Sequence, residues 1–179
     1  MKKKIIVCGL LLAASLAQSA MAGGKPALRQ RAAVMQCGER KVEVKASCYK
    51  EDGYMGLSCT SQQLSIIDSA SGKELGGQSF KPATLEQGDS YPIVAEKLGD
   101  AFCAETPGKQ KFIVTMLSNG GNCEQCEWAE IYDWDGKLLG ASRDKKKSVE
   151  VRDALKAAYD KKAKNLGKAD LSNIYIQAQ

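Results

Sequence analysis

Cysteines are the residues of this chain whose number and spacing carry the clearest chemistry. The 179 residues contain seven cysteines, one close to the first residue and six further along: Cys37, Cys48, Cys59, Cys103, Cys123 and Cys126. An even number of cysteines in an exported chain is typical of a disulfide framework. The spacing favours three particular bridges. A hairpin that turns at Gly53 sets Cys48 opposite Cys59, and Cys123 and Cys126 are near neighbours. The expected pairs are therefore Cys48–Cys59, Cys123–Cys126 and, by elimination, Cys37–Cys103.

The Cys123–Cys126 pair also admits a redox function. A C-x-x-C motif of the thioredoxin type opens a helix, whose N-terminus lowers the pKa of the first thiol. Here the motif leads into an apparent strand, and the negative charges of Glu124 and Glu127 disfavour a thiolate. We interpret the pair as a structural brace across a loop, with thiol–disulfide oxidoreductase activity as the alternative.

Histidine is absent from the chain. This excludes Ser-His-Asp and Cys-His nucleophilic sites and histidine-ligated zinc. Five carboxylates cluster late in the sequence, but their spacing matches neither a glycosidase pair nor a complete EF-hand loop. We interpret them as a solvated acidic edge: Glu124, Glu127, Glu130, Asp133 and Asp135. The sequence therefore predicts no catalytic residues, no cofactor and no metal, and indicates that the protein is not an enzyme.

The first 22 residues have the pattern of a cleavable export signal. Lys2–Lys4 precede an apolar stretch that is too short to span a membrane, and Ala20-Met21-Ala22 supplies the small residues of a cleavage site. We expect residues 1–22 to be removed and residues 23–179 to form one domain that does not span a membrane. The expected location is the periplasm or the medium.

Charge argues against a nucleic acid partner. Removal of the signal leaves 23 basic and 21 acidic residues, a net charge of +2, whereas nucleic acid binding needs a concentrated basic surface. Residues 137–168 nevertheless carry a net +7. The simpler interpretation is the charged outer face of a helix. The functional alternative is contact with an anionic envelope surface, with Lys145, Lys146 and Lys147 as candidates.

Hydrophobic periodicity indicates strands over most of residues 41–142. Residues 41–48 alternate with period two, residues 57–68 form the returning strand, and residues 111–118 carry the strongest β signal. Residues 128–134 alternate again, and Asp135-Gly136 predicts a tight turn into a strand at 138–141. The turn segments Ile67–Gly76 and Ile131–Gly140 are similar, which we attribute to shared turn chemistry rather than to duplication.

Helical spacing occurs in two places. Residues 92–103 predict a short helix that opens at Pro92. Residues 148–166 predict a basic amphipathic helix with Ser148 as its N-cap and Gly167 at its end, followed by a last strand at about 172–178. The expected fold is α+β: an antiparallel sheet of about six or seven strands, braced by disulfides, with one or two helices.

These features favour a non-enzymatic binding protein that masks a protein partner in the cell envelope. In size, compartment and β-content the chain resembles small periplasmic lysozyme inhibitors and periplasmic immunity proteins, although it shares no motif with them. That resemblance implies an inhibitory or immunity role. Binding residues are expected on loops 50–56 and 118–125 and on one aromatic strand face, for which a core role is the alternative. The candidates beyond the three lysines are Tyr54, Met55, Asn119, Asn122, Glu124, Trp128, Tyr132 and Trp134.

Overall fold

The computed structural model describes residues 24–83, 85, 90–159 and 162–176. The expected export signal at 1–22 lies outside the described residues, as do residues 177–178 of the expected last strand. Within the described ranges, no helix combines the length and apolar character needed to cross a membrane.

The first half of the chain forms a four-stranded antiparallel meander, which we call sheet 1. Its strands pair in the order β1-β2-β3-β4. Alternating residues of β2 point into the core, which explains the period of two in the sequence: Val42 and Val44 are fully buried, whereas Lys45 is exposed. The strands are β1 (Arg29–Cys37), β2 (Arg40–Lys50), β3 (Leu57–Asp68) and β4 (Glu74–Phe80).

The second half forms sheet 2, a meander to which a fifth strand is added, in the order β8-β7-β6-β5-β9. Its strands are β5 (Lys97–Glu105), β6 (Lys111–Ser118), β7 (Glu127–Asp133), β8 (Leu138–Ala141) and β9 (Lys164–Asp170). Helix α1 (Val149–Tyr159) connects β8 to β9, and a short 3-10 helix (Ser172–Tyr175) follows β9. The described residues thus contain nine strands in two sheets, which corrects the expected single sheet of six or seven.

The two sheets pack face to face over one apolar core. Trp128 and Tyr132 of sheet 2 lie in the same buried cluster as Val44 and Leu64 of sheet 1. The other face of sheet 2 packs against α1 in a second cluster: Phe112, Val114, Ala129, Ile131, Val151 and Ala154. β6 is therefore buried on both faces, which accounts for its continuous apolar sequence.

Three disulfides brace the sheets, with the pairing expected from the cysteine spacing. Cys37–Cys103 joins β1 of sheet 1 to β5 of sheet 2, with 5.8 Å between the Cα atoms, and both cysteines are fully buried. Within sheet 1, Cys48–Cys59 crosses from β2 to β3. Cys123–Cys126 closes the loop between β6 and β7.

Strand β5, from Lys97, replaces the second half of the helix expected at residues 92–103, and residues 92–96 form neither helix nor strand. β5 contains a register shift between Leu98 and Ala101. Because of this irregularity, two residues three positions apart both become fully buried. A spacing of three between buried residues imitates a helix, and the sequence pattern therefore indicated the wrong element.

The C-terminal segment also differs from its expected structure. Ser148 does act at the helix N-terminus, since its hydroxyl accepts the N–H of Val151 at 3.2 Å, but α1 ends at Tyr159. Gly167 lies within β9, where a Cβ atom would overlap the carbonyl oxygen of Gln36 in β1. The glycine therefore permits close approach of two strands and does not end the helix. Residues 172–175 form a 3-10 helix in place of a strand, with Ile174 buried in the core.

Edge strands β1 and β4 were not predicted individually. In β1 only the inner face is buried, at Met35 and Cys37, while Val34 on the other face is 49% exposed. β4 contains Gly76 and Gly77, and glycine is depleted in strands. Their strand structure depends on pairing with β2 and β3 more than on local propensity.

The last hairpins of the two sheets share more than turn chemistry. In β3–β4, Ile66 pairs with Gly76, and in β7–β8, Ile131 pairs with Gly140. Each register shifts immediately after the isoleucine. The two hairpins therefore share pairing and register shift as well as turn chemistry, and each occupies the same place in a four-stranded meander.

The two hairpin turns are also built alike. An aspartate at the end of the first strand accepts backbone N–H groups of the turn through its side chain, Asp68 in one turn and Asp133 in the other. A glycine with positive φ follows, at 70° for Gly72 and 83° for Gly136. Positive φ favours glycine, which explains the recurrence of this residue in both segments.

Removal of the inter-sheet disulfide is expected to cost more stability than removal of the loop disulfide. Cys37–Cys103 spans a sequence separation of 66 and Cys123–Cys126 a separation of 3, and loop-closure entropy grows with length. Cys37→Ala/Cys103→Ala should lower the free energy of unfolding by about 4 kcal/mol and Cys123→Ala/Cys126→Ala by about 2 kcal/mol. Urea denaturation measures both values, and equal losses would contradict this account.

Gly76 is expected to tolerate no side chain. A Cβ atom there would overlap the carbonyl oxygen of Gly136, at the place where the two last hairpins touch. Gly76→Ala should lower the free energy of unfolding by about 3 kcal/mol, because two backbones must separate. The control is Gly120→Ala, where φ is +78° but the space is open, and the expected loss there is about 1 kcal/mol. Thermal and urea denaturation distinguish the two variants.

Candidate functional site

The strand directions give the molecule two different ends. Cys37 and Cys103 lie near the C-terminal ends of β1 and β5, so these strands point to the same end, which we call the turn end. It carries the four short hairpin turns. The opposite end, which we call the loop end, carries the longer β2–β3 loop at 51–56 and the β6–β7 loop at 119–126. Both disulfide-braced loops of the sequence prediction thus lie at one end of the sandwich.

The β2–β3 loop presents an apolar tip on a fixed base. Cys48–Cys59 crosslinks the two strands below it. Within the loop, the Tyr54 N–H donates to the carbonyl oxygen of Glu51 at 3.2 Å, and Gly53 supplies a positive φ of 83°. Tyr54 is 65% exposed and Met55 is 99% exposed. Two large apolar side chains therefore stand in solvent on a loop whose ends are covalently joined.

The β6–β7 loop presents polar side chains on a similar base. The Cys126 N–H donates to the carbonyl oxygen of Cys123 at 3.0 Å, inside the disulfide ring, and the Asn119 N–H donates to the carbonyl oxygen of Cys126 at 3.0 Å. Asn119, Asn122 and Glu124 are all exposed. The loop offers amide and carboxylate groups for hydrogen bonds at the same end of the sandwich as the apolar tip of the β2–β3 loop.

The same geometry bears on the redox alternative for Cys123 and Cys126. The motif lies in a turn, and strand β7 begins at Glu127, immediately after it. In the described part of the chain no helix N-terminus adjoins the cysteines, so the usual device that lowers a thiol pKa is missing. Cys126 is 6% exposed. This arrangement is that of a loop brace.

The aromatic candidates lie away from the loop end or below the surface. Trp128 is 1% exposed and Tyr132 is 0% exposed, so both belong to the inter-sheet core and cannot form a contact surface in the folded protein. Trp134 lies at the turn end. Its ring is 5.6 Å from the guanidinium of Arg40 and 4.9 Å from the ammonium of Lys111, in a stack that connects the two sheets.

The basic candidates are spread rather than gathered. Lys145 and Lys146 are exposed after β8, whereas Lys147 is half-buried, with its ammonium 2.7 Å from the carbonyl oxygen of Asp144. Among the other described lysines of residues 137–168, Lys137 precedes β8, Lys156 lies on α1, and Lys164 and Lys168 lie on β9. The described lysines of this segment therefore lie on several different elements.

Glu130 is not part of a solvated edge. It is 5% exposed, and its carboxyl lies 2.9 Å from the Tyr132 hydroxyl, which is 3.0 Å from the side-chain oxygen of Gln78. One hydroxyl proton cannot serve two acceptors. A protonated Glu130 satisfies both contacts, because it then donates to Tyr132, which donates to Gln78.

Burial is the main influence on the pKa of the Glu130 carboxyl. It raises the pKa of Glu130 above its ordinary value, against the opposing effect of the Tyr132 hydrogen bond. The alternation of Trp128, Glu130 and Tyr132 on one strand face was visible in the sequence. Once that face is assigned to the core, the burial of Glu130 follows. Among the described residues, no group of three or more potential metal ligands occurs.

We expect Glu130→Gln to stabilise the protein at neutral pH. Because the folded-state pKa is raised, the folded protein holds the proton more tightly, and the contribution of Glu130 to stability falls as pH rises through that raised value. Glutamine has nearly the same shape and can donate to Tyr132 at every pH. Urea denaturation should show the variant more stable at neutral pH and equal to the native chain under acid conditions.

The matched control is Glu124→Gln, which makes the same substitution at an exposed position. A Glu130→Gln variant that is less stable at neutral pH would contradict a buried carboxyl whose pKa is raised by burial.

Comparison with known proteins does not assign this chain to a family. No protein-family model matches it, and no curated protein or solved structure shows a significant similarity. Function must therefore be argued from the loops, the burial and the charges themselves.

Proposed function

We propose that the mature chain is an exported, non-enzymatic protein that binds a protein partner through its loop end and masks that partner in the cell envelope. The observation that carries the proposal is the nearly complete exposure of Met55 beside the exposed Tyr54. Single exposed apolar residues are common in folded proteins. Two adjacent ones on a crosslinked loop are a more specific arrangement.

Composition supports a protein partner. Tyrosine and methionine are enriched in protein–protein interfaces, where the apolar centre is surrounded by polar groups that hydrogen-bond. Tyr54 and Met55 supply the apolar centre. The exposed Asn119, Asn122 and Glu124 of the β6–β7 loop supply polar groups at the same end of the molecule.

Rigidity supports binding by preformed loops. Ordering a flexible loop costs free energy on association, and a covalent brace removes part of that cost. Each loop has its own disulfide, and the two sheets that carry them are joined by a third. The disulfides also fit an oxidising compartment, the place where an envelope protein or a secreted protein works.

The direct experiment is affinity capture. Oxidised residues 23–179 are immobilised, and proteins retained from envelope and culture-supernatant extracts are identified by mass spectrometry. One stoichiometric protein that survives moderate salt supports the proposal, and its activity in the presence of the chain tests masking. Retention of glycan or lipid alone would contradict it.

Tyr54→Ala/Met55→Ala should weaken binding of the captured partner about tenfold or more, because central aromatic and apolar side chains dominate interface free energies. Isothermal titration calorimetry with the purified partner measures the change. The matched control is Val149→Ala/Tyr159→Ala, which truncates two exposed apolar residues of α1, 56% and 74% exposed. A loss of affinity in the control alone would place the interface on the helix.

A further inference from the structure

A cleft on the β1–β2 side of the loop end has a charge pattern that the loops do not explain. Its volume is about 190 Å³, and its lining includes three cationic side chains, Arg29 and Arg31 of β1 and Lys50 of β2. The acidic side chains of the described residues do not line it. A cleft that gathers three cations without a carboxylate is suited to an anionic group.

The positions of these cations are unusual for their strand face. Residues 29, 31, 33, 35 and 37 alternate onto one side of β1, and on that side Met35 and Cys37 are buried in the inter-sheet core. Arg29 and Arg31 continue the same inward-facing row beyond the point where the core ends. The row thus changes from apolar to cationic at the loop end.

Arg31 is held in place, and the other two cations remain open to solvent. The Nη2 group of Arg31 donates to the carbonyl oxygens of Asn173 and Ile176 at 3.3 and 2.9 Å, which leaves its other N–H groups for a ligand. Arg29 and Lys50 are exposed, and neither forms an ion pair within the described residues. A fixed guanidinium beside two unpaired cations favours a carboxylate, since arginine pairs with carboxylates through two parallel hydrogen bonds.

A further cation and a bound acid complete the surroundings. The ammonium of Lys25 lies 5.0 Å from the ring of Tyr91, whose hydroxyl donates to the carbonyl oxygen of Pro26, at the cleft wall. Glu51, next to Lys50, accepts the N–H of Ser90 at 3.2 Å. The Glu51 carboxylate is thus hydrogen-bonded to Ser90, and Glu51 is not among the residues that line the cleft.

The cleft is continuous with the apolar loop tip. Lys50 and Leu57 line the cleft, and they are the two residues that flank the loop carrying Tyr54 and Met55. A ligand that reaches both regions needs an acidic group and apolar side chains within one short segment. A peptide segment of a protein offers that combination, and arginine, tyrosine and methionine together are the composition enriched in protein interfaces.

We propose that the cleft formed by Arg29, Arg31 and Lys50, which we call the cationic cleft, binds an acidic side chain of a protein partner whose apolar residues contact Tyr54 and Met55. The inference rests on the proposed function and adds the chemistry of the partner: an acidic segment that includes apolar residues. Association should weaken as salt screens the charges.

The test uses the oxidised chain and a synthetic probe, so it does not depend on the identity of the partner. A hexaglutamate peptide is titrated into isotopically labelled residues 23–179 at low ionic strength, and amide shifts are followed by NMR. We expect shifts confined to residues 25–31 and 48–57, and none with hexaglutamine. Shifts confined to α1 and the Lys145–Lys147 segment, or no shifts, would overturn the proposal.

Charge reversal provides the second arm. Arg29→Glu/Lys50→Glu should weaken hexaglutamate binding about tenfold or more, and Arg31 is left intact because it holds the C-terminal segment. The matched control is Lys73→Glu/Lys137→Glu, which makes the same charge change at two exposed positions of the turn end. Equal weakening in both variants would indicate a general charge effect and overturn the cleft.

Two comparisons separate this inference from its alternatives. Vesicles of phosphatidylglycerol serve as the lipid probe. Binding of vesicles but not hexaglutamate through Arg29 and Lys50 would replace the acidic peptide with a membrane surface. If a captured partner depends on Tyr54 and Met55 but not on Arg29 and Lys50, the cationic cleft is wrong while the proposed function stands. If hexaglutamate binds in the cleft but no protein is captured, the affinity of the cleft for acidic peptides stands and the proposed function is wrong.

Discussion

Face-to-face packing of two four-stranded meanders is the constraint on which the rest of this structure depends. Each sheet has an apolar face that is stable only when covered by the other. The two sheets approach most closely at two glycines, where a side chain would prevent the contact. Gly76 approaches the backbone of Gly136, and Gly167 approaches the backbone of Gln36. Cys37–Cys103 fixes the same arrangement covalently. The positions of both long loops follow from this packing.

Both sheets contain the same four-stranded meander, but their outer faces differ. In sheet 2 the outer face carries Phe112, Val114 and Ile131 and is covered by α1. In sheet 1 the corresponding face carries charged side chains, among them Lys45, which pairs with Glu43 at 2.9 Å, and no helix of the described chain covers it. One unit thus serves as the middle layer and the other as an outer layer.

Sequence patterns predicted the parts of the fold in which local and tertiary preferences agree. Residues 57–68, 111–118 and 138–141 are strands with the bounds that periodicity indicated. The patterns failed where tertiary contacts decide. The register shift in β5 gave buried residues a helical spacing, and lysine-rich β9 is a strand because it pairs with β5, not because of its propensity.

The candidate site was predictable to a similar degree. Cysteine spacing located the braced loops, and exposure of Tyr54 and Met55 agrees with their position at a turn. Burial of Trp128 and Tyr132 could not be decided from alternation alone. An aromatic strand face has the same sequence pattern whether it contacts solvent or packs against another sheet. The cationic cleft was not recognisable at all, since Arg29 and Lys50 are far apart in sequence and meet only through β1–β2 pairing.

The long span of the inter-sheet disulfide has a consequence for maturation. Among the six bridged cysteines, Cys37 is synthesised first, and Cys48 and Cys59 follow. Cys103, the partner of Cys37, comes 66 residues after it. An oxidant that joins thiols in their order of appearance produces a Cys37–Cys48 bond, which is not native. Reaching the native set then requires thiol–disulfide exchange, a step that takes seconds to hours without catalysis. Under such an oxidant, the native set of bridges forms only when oxidation is delayed or when exchange replaces the first bond.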